Sequence, residues 1–290
     1  MRPALLLAIL TLPLAAEPGG IFLKGSRWSI VSEGHQFAEG MIVDRENNLY
    51  FTDVPRSQLF RIDGKTGKRT LLDSMTGRTN GIAQGIDRRI YGCASGDKKI
   101  YAWSPESWKK SAVAQGPPSN DIAIRKDGTI FFTDPQAKSV WRITADKHQL
   151  EKAAQLEWNP NGITLSLDHK TLYVAEFFSK HVHRFAIGDD SALGKDTIAF
   201  ELKVPADGKG FLDGMMPLAD GRLLIGTKLG IQIASPQGTV KPDPPIIIPI
   251  PNDLPRCNYV RSSPDGKWLY AAHAKTILRR ELDPTFAIAK

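Results

Sequence analysis

EGMIVDRENNLYFTD, residues 39–53, is the stretch whose reading decides the fold, because the chain returns to the same pattern five more times. The further copies are NGIAQGIDRRIYGCA (80–94), NDIAIRKDGTIFFTD (120–134), NGITLSLDHKTLYVAE (161–176), DGMMPLADGRLLIGT (213–227) and NYVRSSPDGKWLYAAH (258–273). Each sets a polar residue ahead of an apolar stretch, then a turn, then a β-rich run. The starts at 39, 80, 120, 161, 213 and 258 are separated by 41, 40, 41, 52 and 45 residues. Periods of that size, with several short strands in each unit, mark the blades of a β-propeller.

Working outward, each unit supplies four strands. The apolar stretch is the first, a turn such as Asp127-Gly128 or Asn47-Asn48 follows, and the β-rich run is the second. Third strands alternate apolar and polar residues, as half-buried strands do: QLFRID (58–63), KIYAWS (99–104), SVWRIT (139–144), HVHRFAI (181–187), GIQIAS (230–235) and TILRREL (276–282). Outer strands follow in TLLD (70–73), SAVAQ (111–115), KAAQL (152–156), TIAFEL (197–202) and PIIIPI (245–250). The sixth outer strand is missing after residue 282, and WSIVSEG (28–34) near the start supplies it. The expected fold is therefore all-β, a six-bladed β-propeller whose ring is closed by the N-terminal strand, which leaves no open sheet edge.

Residues before this strand carry a leader pattern. Met1-Arg2, the apolar run Ala4–Leu14 and Ala15-Ala16 have the layout of a secretory signal peptide, although Leu14 stands where a smaller residue is usual. The apolar run is too short to span a bilayer. The expectation is a signal peptide over 1–16, a propeller domain over 17–290, and a secreted or periplasmic location. The formal charge of +7 is scattered without a basic stripe, which argues against nucleic-acid binding. Cys93 and Cys257, two repeats apart around the ring, suit either a disulfide or two buried thiols. GDDSALGKD (188–196) and PADGKGF (205–211) lengthen the step from the fourth unit to the fifth, and the proline-rich 241–256 lengthens the next; these stretches either lie over one face of the disk or are plain surface loops.

The leading residues of the six units are Glu39, Asn80, Asn120, Asn161, Asp213 and Asn258. All carry a carboxylate or carboxamide, and the innermost strands of a propeller surround its channel, so the six form a ring of oxygen donors. Calcium takes six to eight oxygen ligands. Asn-Gly and Asp-Gly also occur in turns, and that reading suffices for Asn80 and Asn258. It serves Glu39 poorly, so a ligand role is expected for Glu39, Asn161 and Asp213.

Taken in order, EGMIVDRENNLYFTD, SNDIAIRKDGTIFFTDP, PNGITLSLDHKTLYVAE and LDGMMPLADGRLLIGT resemble the successive signatures of the gluconolactonase and senescence-marker-protein (regucalcin) family. SALGKDTIAFELKVPADGKGFLDGM (191–215) fits as well, and the resemblance covers almost all of the chain beyond residue 16. It implies one divalent cation, calcium first, with zinc, manganese or magnesium as the other candidates, held by the residues matching Glu39, Asn161 and Asp213. Asn120 is implied beside it, contacting substrate or completing the shell. The related diisopropylfluorophosphatase propellers use a similar glutamate, two asparagines and an aspartate. The activity implied is hydrolysis of a small-molecule lactone: the cation polarises the carbonyl, and Asp213 serves as general base toward water. With a phosphoester substrate Asp213 would instead be the nucleophile.

The same ring also suits a non-catalytic propeller with a structural metal, since fold alone does not decide. Two departures bear on substrate. Sugar lactonases of the regucalcin type often carry an arginine at the position of Pro118 and a glutamate at that of Ala94. His181 and His183 share one strand face, but two ligands close no zinc site, so an exposed strand surface is expected there. His35 reads as a loop histidine and His273 as a packed one. No nucleophile elbow, H-E-x-x-H helix or phosphate-cradling glycine loop is found.

Overall fold

The computed structural model describes residues 20–146, 148–237, 243–251, 256–286 and 288. The leader pattern of residues 1–16 and part of the 241–256 connection lie outside the described residues. The first strand is β1 (Ser29–Glu33). Blade 1 is β2 (Ala38–Val43), β3 (Leu49–Asp53), β4 (Gln58–Ile62) and β5 (Arg69–Asp73). Blade 2 is β6 (Thr79–Gln84), β7 (Ile90–Ala94), β8 (Lys99–Trp103) and β9 (Lys110–Gln115). Blade 3 is β10 (Ile122–Ile124), β11 (Ile130–Asp134), β12 (Ser139–Ile143) and β13 (Leu150–Gln155). Blade 4 is β14 (Pro160–Leu165), β15 (Thr171–Glu176), β16 (His181–Ala186) and β17 (Thr197–Glu201). Blade 5 is β18 (Met215–Pro217), β19 (Leu223–Thr227), β20 (Gly230–Ala234) and β21 (Ile246–Ile248). Blade 6 is β22 (Tyr259–Ser262), β23 (Trp268–His273) and β24 (Thr276–Glu281), with β1 as its outer strand.

Each blade is an antiparallel four-stranded meander, and β1 pairs with β24, setting Ser29 opposite Arg279 and Glu33 opposite Thr276. The six-bladed propeller closed by its N-terminal strand is thus as the repeats require. Between blades the core is built from equivalent positions. Leu49, Ile90, Ile130, Leu172, Leu223 and Leu269 hold the same place on the second strands, and none is more than 4% exposed. Burying each such side chain is worth about 1.5–3 kcal/mol. Cys93 and Cys257 are buried free thiols, which decides between the two readings of the pair.

Every turn between first and second strands carries one residue with a left-handed backbone: Asn47, Arg88, Gly128, His169, Gly221 and Gly266, with φ of 63°, 65°, 93°, 60°, 85° and 73°. These are three-residue-span turns, closed for example by Gly128 N–H donating to Arg125 O at 3.0 Å.

The inner strands crowd the axis and bond to one another around it. Thr52 Oγ1 donates to Asn80 O at 2.9 Å and Thr133 Oγ1 to Asn161 O at 2.7 Å. Gly81 N–H donates to Asn120 O at 2.8 Å and Gly214 N–H to Asn258 O at 2.9 Å. Asn258 Nδ2 donates to Ala38 O at 3.4 Å, which links blade 6 to blade 1. Glycine follows the leading residue where backbone meets backbone: a Cβ on Gly162 would stand 2.1 Å from Asp213 O. The neighbour there is main chain and has no room to withdraw.

Gly162→Ala is expected to destabilise the fold by about 1–3 kcal/mol through this overlap. Thermal unfolding of the variant beside the parent chain checks it; an unchanged midpoint would show that the inner ring has slack.

Candidate active site

The site is assembled by local distortions of the inner strands. In β2 the register shifts between Glu39 and Met41, in β6 between Thr79 and Ile82, and in β14 between Pro160 and Ile163. These bulges fall on Glu39-Gly40, Asn80-Gly81 and Asn161-Gly162, and bulges re-aim side chains in this way. None of the six leading residues has a positive φ, so their asparagines are not left-handed turn residues. Asn120, Asp213 and Asn258 precede β10, β18 and β22 and occupy the equivalent places in their blades. The sequence-derived set Glu39, Asn120, Asn161 and Asp213 therefore comes from blades 1, 3, 4 and 5 of one closed ring.

The ring holds buried charge. Glu39, Asp121 and Asp213 are 3%, 2% and 4% exposed. Burial pushes the Glu39 carboxyl well above the ordinary range, and the neighbouring Asp213 charge pushes it further. Burial also pushes Asp213 up to about 7, against the opposing pull of Arg256. Arg256 Nη2 donates to Asp213 Oδ2 at 3.0 Å. Asn161 is 9% exposed, and the buried Asn258 Oδ1 is without a hydrogen-bond partner. Two destabilised carboxylates with carboxamide oxygens in the same ring form a donor set of the kind a hard cation takes.

Beneath the ring the channel is closed by a pair that sequence reasoning missed. The residues after the leading ones are Gly40, Gly81, Asp121, Gly162, Gly214 and Tyr259. The two that are not glycine lie in opposite blades and meet: Tyr259 O–H donates to Asp121 Oδ1 at 2.9 Å. A Cβ on Gly81 would stand 2.1 Å from that Asp121 oxygen. Asp121 also accepts the Ile122 and Ile163 N–H groups at 2.9 and 3.1 Å, and Arg261 Nη2 reaches Tyr259 Oη at 3.2 Å.

Above the ring lies an aromatic mouth. Arg256 Cζ stands 5.8, 5.7 and 5.4 Å from the ring centres of Phe37, Phe177 and Phe211. Phe177 and Phe211 pack edge to face at 5.1 Å, with the exposed Phe178 against both. Phe37, Phe211 and Arg256 each precede a leading residue by two, the same offset at which Pro118 stands in blade 3. That row was the missed signal. The N–H groups of Gln36 and Phe37 donate to the buried Asp53 carboxylate at 3.0 and 3.1 Å, which fixes the approach to Glu39.

The remaining histidines divide. His35 is buried rather than a plain loop residue, hydrogen-bonded to Ser32 Oγ at 2.8 Å and packed edge-on against Phe51. His183, expected on an exposed strand surface, is 7% exposed and lies between the carboxylates of Glu176 and Asp196. The strand face is covered because Trp158 stacks on the His183 ring at 4.0 Å.

Comparison with known proteins places residues 37–242 in a match to the family described as the SMP-30/gluconolactonase/LRE-like region. The lactonase drp35 of Staphylococcus aureus is 26% identical over 194 residues, 61% of this chain and 60% of the relative. The drp35 lactonase of Staphylococcus haemolyticus is 24% identical over 193 residues, 61% of this chain and 59% of the relative. The chain thus spans about three fifths of the length of these curated relatives. Among solved structures, a gluconolactonase of Xanthomonas campestris superposes with a TM-score of 0.76 at 22% identity, covering 90% of this chain and 91% of that one. A regucalcin of Agrobacterium tumefaciens, described as a calcium-binding protein, gives 0.71 at 14% identity over 89% and 95%. These likenesses establish the fold.

The raised carboxylates carry a pH consequence. Between the ordinary carboxylate value of about 4 and about 7, the folded chain keeps a proton on Asp213 that the unfolded chain has released. Stability of the metal-free chain is expected to fall as pH rises through that window, and the raised Glu39 carboxyl adds to the fall in the same direction. Each kcal/mol lost lowers the melting midpoint by about 2–4 °C in a chain of this size. Melting curves across pH 4–8 check this, and Asp213→Asn should flatten the fall.

Proposed function

The chain belongs to the SMP-30/gluconolactonase/LRE-like family, and on that premise we propose that it is a hydrolase that opens a lactone ring at the mouth of the propeller channel, using one divalent cation, calcium first, held by Glu39, Asn161 and Asp213. The observation that carries this reading is the pair of buried carboxylates, Glu39 and Asp213, both driven toward the protonated form. A divalent cation relieves their burial and mutual repulsion together. Relatives named as lactonases, and a fold neighbour described as calcium-binding, support the same reading.

The cation, when bound, supplies an electrophile for the lactone carbonyl and stabilises the oxyanion that forms there. The chain's own residues do the rest. Asn120, at the edge of the ring, orients the substrate through its carboxamide. Asp213, with Oδ2 engaged by Arg256, accepts the proton of the attacking water at its other oxygen. Cation binding favours the ionised carboxylate, and that is the form that accepts this proton. Phe37, Phe177 and Phe211 keep bulk water from the mouth and present an apolar wall. With Pro118 in place of a sugar-binding arginine, that wall suits lactones with alkyl or aryl substituents better than polyhydroxylated ones. The leader pattern of residues 1–16 supports the further proposal that the reaction takes place outside the cytoplasm.

A lactone panel assayed on chelator-stripped and calcium-supplemented chain tests the proposal. Calcium-dependent ring opening is expected, reduced at least ~100-fold in Asp213→Ala. Metal binding without turnover on any lactone would transfer the site to a ligand-binding, non-catalytic role. Phe211→Ala is expected to raise KM for alkyl lactones more than it lowers kcat; equal use of aldonolactones by the parent chain would contradict the apolar wall.

A further inference from the structure

Glu176, His181 and His183 meet on blade 4 where β15 and β16 turn, and none of them is a leading residue of a repeat. Ala175 pairs with Val182 across β15 and β16, which sets Glu176 opposite His181, and His183 lies two residues on along the same face. Glu176 Oε2 is 3.2 Å from His183 Nε2 and 3.5 Å from His181 Nδ1, and the three donor atoms all lie within 4.8 Å of one another. Two ligands bound to zinc at about 2.0–2.1 Å in tetrahedral geometry stand about 3.3 Å apart. The separations on Glu176 are those of a tetrahedron's edges.

The second sphere is built as well. His183 Nδ1 lies 2.6 Å from Asp196 Oδ1, and Trp158 Nε1 donates to Asp196 Oδ2 at 3.1 Å while its ring stacks on the imidazole. With Nδ1–H given to Asp196, Nε2 turns a lone pair toward the Glu176 carboxylate. Two electron-rich atoms at that distance require a cation or a second proton between them. A carboxylate behind a ligating histidine is the usual support of a zinc-bound imidazole. His181 and Glu176 side chains are 27% and 23% exposed, so an ion has a path in and a fourth position faces solvent.

We propose that Glu176, His181 and His183 form a second metal site, a zinc-class centre with two nitrogen ligands and one oxygen ligand, oriented by Asp196 and Trp158. It is independent of the channel site in ligands and in preferred metal: imidazole nitrogens select zinc and its neighbours over calcium. Glu176 ends β15 and His181 opens β16, so the ion ties the two strands together where they turn. Through Asp196 and Trp158 it also ties them to the connection from blade 3.

The test is titration of the chelator-stripped full chain with zinc, and with cobalt(II) as a spectroscopic probe of four-coordinate geometry. The parent chain and Glu39→Gln should both bind zinc at this site and give the visible band of four-coordinate cobalt. His181→Ala and Glu176→Gln should lose the band and weaken zinc binding. Asp196→Asn should weaken it roughly 10-fold while keeping the band. Circular dichroism and melting curves establish that each variant is folded, and the partly exposed His181 and Glu176 positions give two independent chances of that. Retention of the cobalt band in both His181→Ala and Glu176→Gln, its loss in Glu39→Gln instead, or absence of zinc binding by the parent chain would each overturn the proposal.

Discussion

Six strand ends have to meet around a single axis, and the space there decides most of what the molecule is. At Gly162 the neighbouring Asp213 carbonyl leaves no volume for even one methyl group. The close approach lets the leading residues bond blade to blade through Thr52, Gly81, Thr133 and Gly214. It also forces the side chains of those residues, lifted by bulges, into one small ring. Carboxylates brought together in that way lose water and face each other, and their elevated proton affinity follows from the packing.

Charge in the ring is balanced from two sides. From below, Asp121 is held by two backbone N–H groups and by Tyr259, with Arg261 behind the tyrosine. From above, Arg256 reaches Asp213 through a collar of three phenyl rings. Asp121 and Tyr259 bridge the axis on one side, and the phenyl collar stands around Arg256 on the other, so on the proposed reading a substrate passes the phenyl rings before it reaches Glu39 and Asp213. This arrangement gives the lactonase reading its physical content: binding surface and reacting groups lie on the same axis at different depths.

The repeats made the blade number, all four strands of each unit and the N-terminal closure legible, because a missing outer strand at residue 282 had only one replacement at 28–34. Turns were legible at Gly128, Gly221 and Gly266, but not at Arg88 and His169, which adopt the same left-handed backbone without advertising it. The row of leading residues exposed Glu39, Asn120, Asn161 and Asp213. Asp121 and Tyr259 were passed over because their row is otherwise filled by glycine, which packing explains, and Arg256 because its row, with Phe37, Arg78, Pro118, Asn159 and Phe211 beside it, has no single residue type in common. His183 was misread for a different reason: its cover, Trp158 and Asp196, comes from connections outside its own strand pair, where alternation along β16 carries no information.

Everything proposed for the channel rests on Glu39 and Asp213 being a cation site held in readiness by burial. The most direct measurement is calorimetric titration of the chelator-stripped chain with calcium near pH 6, repeated in buffers of different ionisation enthalpy. Carboxyls that still carry protons at that pH must release them to the buffer as the ion binds. The account predicts one calcium per chain, proton release on binding, tighter binding as pH rises toward 8, and loss of the channel site in Glu39→Gln. Calcium binding that released no protons and was unchanged in Glu39→Gln, or no calcium binding at all, would contradict it.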